Sequence, residues 1–345
     1  MTIDRRKFLM TTGALSAGAA FGLPMGSAKA QQMLTGVTYL PPSYEDLAFG
    51  SQGFVDYVNE KHGDTVKIDF YDSGRLLSAD EQLPALRSGN IDFMFHTTSY
   101  ITRSLPILGV MGLPGVVGPL YDNPDRLKRG SPLFELMNQE LAKQGLTALS
   151  FGGGIMEPEI IWSTGSPGIR TLEDIDGKRV RVVSFEATKA IEDFGGAAVR
   201  IPSSELYLAL QRGTVDAAVA TISTINGRSI QEQIKQALRI PVTGFAIGIF
   251  VKTDRWEAMD DGVKSAMTEA AEWFDTHSAK AANEDYYDKQ FWPKFKELGI
   301  EVIEPDQATL DRFAEVSVNV REAWVAEVGE EVGQKAIALA MGEDA

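Results

Sequence analysis

Alternation and helical spacing of apolar positions divide the chain into a repeating order of short strands and helices. Leu34 to Leu40 reads as a strand stopped by Pro41-Pro42. Tyr44 to Lys61 carries Leu47, Phe54, Val55 and Val58 at helical spacing, with Gly63 as its stop. Val66 to Tyr71 alternates as a strand. Ser78-Ala79-Asp80-Glu81 forms a capping box for a helix ending at Gly89, with Pro84 predicting a kink or a later start. Ile91 to Phe95 is a buried strand emptying into His96-Thr97-Thr98-Ser99-Tyr100. A Gly/Pro-rich crossing from Leu105 to Leu120, a helix over Asn123 to Gln144 and a strand over Thr147 to Phe151 follow, ending in Gly152-Gly153-Gly154.

The same alternation resumes at Gly177. Lys178 to Val183 is a strand with Val180 and Val182 on one face and Arg179, Arg181 and Val183 on the other. A helix and a second strand reach Ile201. Pro202-Ser203-Ser204-Glu205 opens a helix that stops at Gly213, and Thr214 to Thr221 is an almost wholly apolar strand. Ser223 to Lys235 reads as helical and Phe245 to Val251 as a strand. Trp256 to Trp292 reads as one long helix or two joined near Asn283. Lys294 to Ile303 gives a short helix end and a strand. Thr309 to Val328 is an amphipathic helix with Leu310, Phe313, Val316, Val320 and Trp324 on one side.

Strands and helices that alternate with short connections imply α/β architecture with parallel sheets covered on both faces. Two stretches repeat the same message: Ala85-Leu86-Arg87-Ser88-Gly89-Asn90-Ile91-Asp92 and Ala209-Leu210-Gln211-Arg212-Gly213-Thr214-Val215-Asp216. Each lies inside its own βαβα run, and 345 residues exceed a typical single core. The expectation is two lobes of similar build facing a shared cleft, so that a ligand gains contacts only on closure. In open sheets ligands sit beyond the carboxyl ends of strands, which makes Arg181 a candidate clamp. Its guanidinium offers a planar fork matching a carboxylate. The pattern alone equally allows a strand arginine with a solvated tip, as for Arg179.

Composition narrows the partners. The formal charge is −15, and without the first thirty residues 29 Lys/Arg stand against 47 Asp/Glu, giving −18. Such a surface repels nucleic acid and anionic lipid, so neither is expected as a partner. The absence of cysteine excludes disulfides, thiolate metal sites, a cysteine nucleophile and a lipidated N-terminal cysteine. The first thirty residues read as an address. Arg5-Arg6 precede a mild apolar run from Leu9 to Leu23 and the small-x-small Ser27-Ala28-Lys29-Ala30. This predicts a cleaved twin-arginine signal peptide and a periplasmic chain, free of a membrane anchor, beginning near Gln31.

Several stretches together are similar to the periplasmic solute receptors of tripartite ATP-independent (TRAP) transporters, the DctP family. They are SGRLL and ALRSGNIDF, then LEDIDGKRVRVVSFEATKAIEDFGGAAVRIPSSELYLALQRGTVDA, then KFKELGIEVIEPD and REAWVAEVG. The resemblance runs over nearly all of the mature chain. It implies a two-lobed periplasmic-binding-protein fold, a long cross-lobe helix at Trp256 to Trp292, and closure around a small organic anion. It also implies delivery to a sodium-driven permease made of a small and a large integral membrane subunit. The family's selectivity arginine falls on Arg181. Expected boundaries are lobe I over 31–157, lobe II over 158–244, a return to lobe I over 245–290, and a C-terminal segment, 291–345, packing on lobe II.

The chain departs from many relatives at Met156-Glu157, where another basic residue is common, and at Ala217-Ala218-Val219-Ala220-Thr221, where a polar Asn or Gln is common. Glu157 facing the cleft would suit a ligand with a cationic or hydroxylated end; otherwise it points to solvent beside Pro158. Further cleft candidates sit at carboxyl strand ends: Tyr39, His96, Thr97, Ser184, Phe185, Ser203, Thr221 and Phe245. His96 is either a titratable contact or a histidine satisfied by its own backbone.

Enzyme chemistry finds little support. The three histidines, at 62, 96 and 277, lack metal-ligand spacing. Gly152-Gly153-Gly154 lacks a phosphate-loop or GxGxxG frame, and Gly165-Ser166-Pro167-Gly168 is no nucleophile elbow. No cofactor is expected. A binding protein of an ATP-driven or sensory system, or a secreted hydrolase, is the competing class.

Overall fold

The computed structural model describes residues 31–165 and 168–343; the expected export segment, 1–30, lies outside them. Eleven strands form among the described residues: β1 (Gln32–Val37), β2 (Val66–Tyr71), β3 (Phe93–Thr97), β4 (Leu146–Ser150), β5 (Met156–Ser163), β6 (Arg179–Val182), β7 (Ala197–Arg200), β8 (Ala217–Ala220), β9 (Gln236–Phe245), β10 (Ile247–Lys252) and β11 (Glu301–Ile303). They make two sheets, in the orders β2-β1-β3-β10-β4 and β11-β9-β5-β8-β6-β7. The first lobe is built on the first sheet and the second lobe on the second. Both lobes are α/β, but the sheets are mixed rather than parallel as expected: β1/β2, β1/β3, β6/β7, β6/β8 and β9/β11 are parallel, whereas β10 runs antiparallel to β3 and β4, and β5 to β8 and β9.

The repeated stretch folds the same way twice. Gly89 and Gly213 end their helices at φ 76° and 65°, a conformation that favours glycine. Asp92 accepts a hydrogen bond from Thr35 N at 2.7 Å, and Asp216 accepts one from Arg179 N at 2.9 Å. Each aspartate thereby staples the loop after a helix to a neighbouring strand of its own lobe, β1 in the first and β6 in the second. The backbone answers in kind: Asp92 N donates to Thr35 O and Asp216 N to Arg179 O.

Two strands depart from the sequence expectation. β5 and β9 pair antiparallel and tie the second sheet together, yet they contain Pro158 and Pro241. Proline removes a ladder donor and hides a strand in a sequence pattern. The β5/β9 register shifts twice, between Met156 and Glu159 and between Glu159 and Ile161, so side-chain alternation fails there. The helix expected over Ser223 to Lys235 shrinks to Ile222–Gly227 and a short turn at Ile230–Glu232, and β9 begins at once. Ala246 separates β9 in one sheet from β10 in the other, so the chain crosses between lobes there.

The long helix starts at Asp261 rather than Trp256, which lies in a separate short helix, Thr253–Ala258, and from there it is one unbroken helical run in three parts. An α-helix spans Asp261–Lys280, a π-helical stretch spans Ala281–Phe291, and an α-helical end spans Trp292–Glu297. The wide turns end two residues before Pro293, which has no N–H to continue an i→i−4 ladder. Inside the π stretch Asn283 accepts from Glu157 N at 2.9 Å and donates to Ile155 O at 3.2 Å, joining the helix to the start of β5. The run packs on Glu45–Lys61 and β4 of the first lobe, and its far end stacks Trp292 on Trp162 of the second.

The C-terminal segment divides between lobes. Gln307–Val328 lies on the second-lobe helix Phe185–Asp193, burying Phe313, Val316, Val320 and Trp324 while Leu310 stays exposed. Glu330–Met341 instead lies on Pro132–Ala142 of the first lobe. This differs from the expectation of 291–345 packing on lobe II alone.

Candidate functional site

Strand directions gather one set of ends at the boundary between lobes. β6, β7 and β8 run parallel, and β5 runs antiparallel to β8 and β9. The carboxyl ends of β6, β7, β8 and β9 therefore share one edge of the sheet with the beginning of β5. Arg181, Ile201, Thr221, Thr243, Phe245 and Glu159 come from that edge.

Arg181 is 1% exposed. Its Nε donates to Ile201 O at 2.8 Å, Nη1 to Val219 O at 2.9 Å, and Nη2 to Tyr100 OH of the first lobe at 3.2 Å. These bonds use three of the five guanidinium N–H donors and leave one on each terminal nitrogen. Among the described residues no carboxylate forms an ion pair with it. A buried cation held only by neutral oxygens is costly unless an anion completes it.

The first lobe supplies an aromatic wall. The Tyr100 hydroxyl also accepts from Ser203 N at 2.7 Å, so one phenol oxygen touches the second lobe twice. Tyr39 packs 5.1 Å from Tyr100 and shares a 2.7 Å hydrogen bond with Thr97 Oγ1. Burial raises the Tyr39 pKa well above the ordinary phenol value, so its hydroxyl stays protonated. Two clefts open at the lobe boundary beside this wall. One, about 220 Å³, touches Tyr39, Pro202 and Arg228; the other, about 390 Å³, touches Tyr100, Arg103 and Arg200. Asp80 borders both and pairs across the lobes with Arg200 at 2.7 Å.

The other expected residues divide. His96 is fully buried, with Nδ1 3.0 Å from Thr97 O and Nε2 3.0 Å from Ala79 O. Ser184 and Thr221 act as N-caps, accepting from Ala187 N and Thr224 N at 2.9 and 3.1 Å. Phe185 N donates to Thr102 Oγ1 of the first lobe at 3.3 Å. Phe245 is buried against Met156.

Glu157 does not face Arg181. It accepts from Trp292 Nε1 at 2.7 Å and pairs with Arg239 at 3.1 Å, beside a separate cleft of about 290 Å³. The acid near Arg181 is Glu159, displaced to the cleft side by the irregular register of β5. Glu159 is 3% exposed, and burial pushes its pKa up to about 8 against the pull of Arg181. Glu186 is also buried and shifted upward by burial, with Oε2 accepting from Thr102 Oγ1 at 3.1 Å. Sequence reasoning missed Tyr100, Glu159 and Glu186 as site residues. The one available signal was an acid at the head of an apolar run, Glu159-Ile160-Ile161-Trp162.

Among the described residues no helix is long and apolar enough to cross a membrane, and no group of three or more His, Cys, Asp and Glu could hold a metal ion. Comparison with known proteins converges on one family. A solute-binding protein of Albidiferax ferrireducens is 24% identical over 331 residues, covering 93% of this chain and 94% of the relative. The C4-dicarboxylate-binding protein DctB of Bacillus subtilis is 25% identical over 240 residues, covering 67% of this chain and 66% of the relative. In three dimensions the fold matches a TRAP periplasmic solute-binding protein of Sulfitobacter sp. NAS-14.1 with bound β-D-galacturonate. That match has a TM-score of 0.78 at 22% identity, covering 90% of this chain and 100% of that one. A TRAP solute-binding protein of Rhodoferax ferrireducens with bound malonate matches with a TM-score of 0.76 at 20% identity, covering 90% and 97%. The family model described as bacterial extracellular solute-binding protein, family 7 (DctP), spans residues 45–327. With that model covering most of its length and both lobes on the matching fold, the chain belongs to the DctP family of TRAP solute-binding proteins.

Proposed function

We propose that this protein is a periplasmic receptor that captures a small organic acid between its lobes with Arg181 as the carboxylate clamp. It then hands the solute to a sodium-driven permease of a small and a large membrane subunit. The chain is exported by its twin-arginine segment and turns over no substrate. One observation carries the reading: Arg181 is buried at the lobe boundary, engaged by neutral oxygens alone, with a donor free on each terminal nitrogen. A carboxylate there would accept two parallel charge-assisted hydrogen bonds in a water-poor site. The galacturonate, malonate, succinate and pyroglutamic acid bound by solved relatives are all carboxylic acids, which supports the same ligand class. Tyr100 would couple capture to closure, since its hydroxyl joins the clamp to the opposite lobe.

The test is a thermal-shift screen over mono- and dicarboxylates, keto acids, sulfonates and amino acids, followed by calorimetry on each hit. One-to-one binding that raises the melting temperature, and that Arg181→Ala removes with an unchanged circular dichroism spectrum, is the expected result. Affinity unaltered in Arg181→Ala would overturn it.

A further inference from the structure

Glu159 occupies a position that a simple anion receptor has no use for. It stands at the cleft edge of the second sheet, buried and close enough to feel Arg181. Its Oε2 has no hydrogen-bond partner. Its cross-strand neighbour on β9 is Thr243, fully buried, whose Oγ1 also has no partner. Directly opposed residues of an antiparallel pair lie side by side on one face, so the two groups form one unsatisfied polar spot. Gly112 of the first lobe closes over it so tightly that a Cβ there would fall 2.7 Å from Thr243 Oγ1. Glu186, behind Gly112, adds a second buried carboxyl whose charge raises the cost of ionising Glu159 when no cation is present.

We infer that the solute is an amine-bearing acid, its carboxylate on Arg181 and its protonated amine against Glu159 and Thr243. This rests on the reading of Arg181 as the carboxylate clamp and adds the far end of the ligand. An ammonium brings a positive charge and three donors to a place offering unpaired acceptors. A second carboxylate there would meet Glu159 and Glu186 in a buried setting, where like charges are strongly unfavourable. The site thus selects against dicarboxylates. The amine also makes a thermodynamic mark. Glu159 holds a proton in the free protein near neutral pH, so docking an ammonium against it expels that proton.

The experiment is calorimetry on the full mature chain with two probe sets. One comprises the α-amino acids, cyclic imino acids and ω-amino acids of three to six carbons. The other comprises carboxylates of matched length that end in methyl, hydroxyl or carboxylate. The expected result is binding of one or more amine-bearing probes, at least roughly 30-fold tighter than their matched analogues. Titration at pH 7 in buffers of different ionisation enthalpy should report release of about one proton per ligand. Glu159→Gln should erase both the preference and the proton release while Arg181-dependent binding persists. A dicarboxylate or simple carboxylate bound tightest, or a preference intact in Glu159→Gln, overturns the inference and leaves the clamp standing. Absence of binding by every carboxylate overturns both.

Discussion

In the first lobe, Asp92 ties the loop after Ala79–Ser88 to Thr35, and in the second, Asp216 ties the loop after Ser203–Gln211 to Arg179. Both aspartates also pair with an arginine, Arg255 at 2.6 Å and Arg179 at 2.7 Å. The scaffolds match this closely, yet their cleft edges differ in kind. The first lobe presents tyrosines, threonines and a histidine locked by its own backbone; the second presents a buried cation and two buried acids. On the reading proposed above, the repeat sets where a ligand would sit and the strand ends decide what it would be. Arg179 and Arg181 make the point within one strand. They share a face, but the arginine at the start of β6 lies exposed against Asp216 and the one near its end lies buried at the lobe boundary.

The largest effect on this asymmetry comes from removing the cation. Arg181→Ala should lower ligand affinity by more than about 100-fold, consistent with losing a buried charged partner. Arg181→Lys should recover only part of it, since an ammonium cannot reproduce the fork. Calorimetry on the ligand found by screening reads both, and wild-type affinity in either variant would erase the difference between the lobes.

The next effect concerns the acid beside it. The Glu159 pKa is raised in the folded state, so the proton is held more tightly there than in the unfolded chain. Its stabilising contribution is complete below the unfolded value of about 4.5 and is lost as pH rises through about 8. Asp46 and Asp275, each pushed to about 6, act in the same direction over a narrower window. Glu159→Gln should flatten the decline between pH 5 and 8.5 in urea-unfolding experiments on the unliganded protein, a change on the order of a few kcal/mol. An identical pH slope in the variant would sink this assignment.

Smaller still are the two staples. Asp92→Ala and Asp216→Ala should each cost about 1–3 kcal/mol by urea denaturation. Asp92 should be the costlier, because its side chain is 6% exposed against 35% for Asp216. The reverse order would show that the resemblance between lobes is not one of energetics. Smallest is Tyr100→Phe, which deletes one hydroxyl shared by Arg181 and Ser203 N. It should weaken binding by about 0.5–1.5 kcal/mol without altering the unfolding cooperativity.

The duplicated helix–loop–strand was legible because each of its positions has a local cause: a left-handed glycine, a β-branched residue, a stapling aspartate. Arg181 was legible for a related reason, since a strand followed by a short turn and a helix locates its carboxyl end. β5 and β9 were not. Pro158 and Pro241 interrupt them, and the antiparallel partners that offset the missing donors are more than seventy residues apart in the chain. Glu159 was hidden by the same irregularity, because two register shifts defeat counting by twos and put Glu157, not Glu159, against Arg239 and Trp292. Tyr100 was visible as a residue but not as a bridge, since its partners belong to the other lobe.

Asn283 holds Ile155 and the start of β5 at the middle of a helix whose ends touch opposite lobes. For the closure proposed above, such an arrangement would act as an axle: the halves would swing about it, since sliding apart would break both bonds to that one amide. Spacings measured near residue 283 should therefore stay constant through an opening stroke, while the span from Asp80 to Arg200 at the rim widens. A protein with no native thiol accepts paired probes at those two stations directly, and the ratio of the two displacements gives the leverage of the swing.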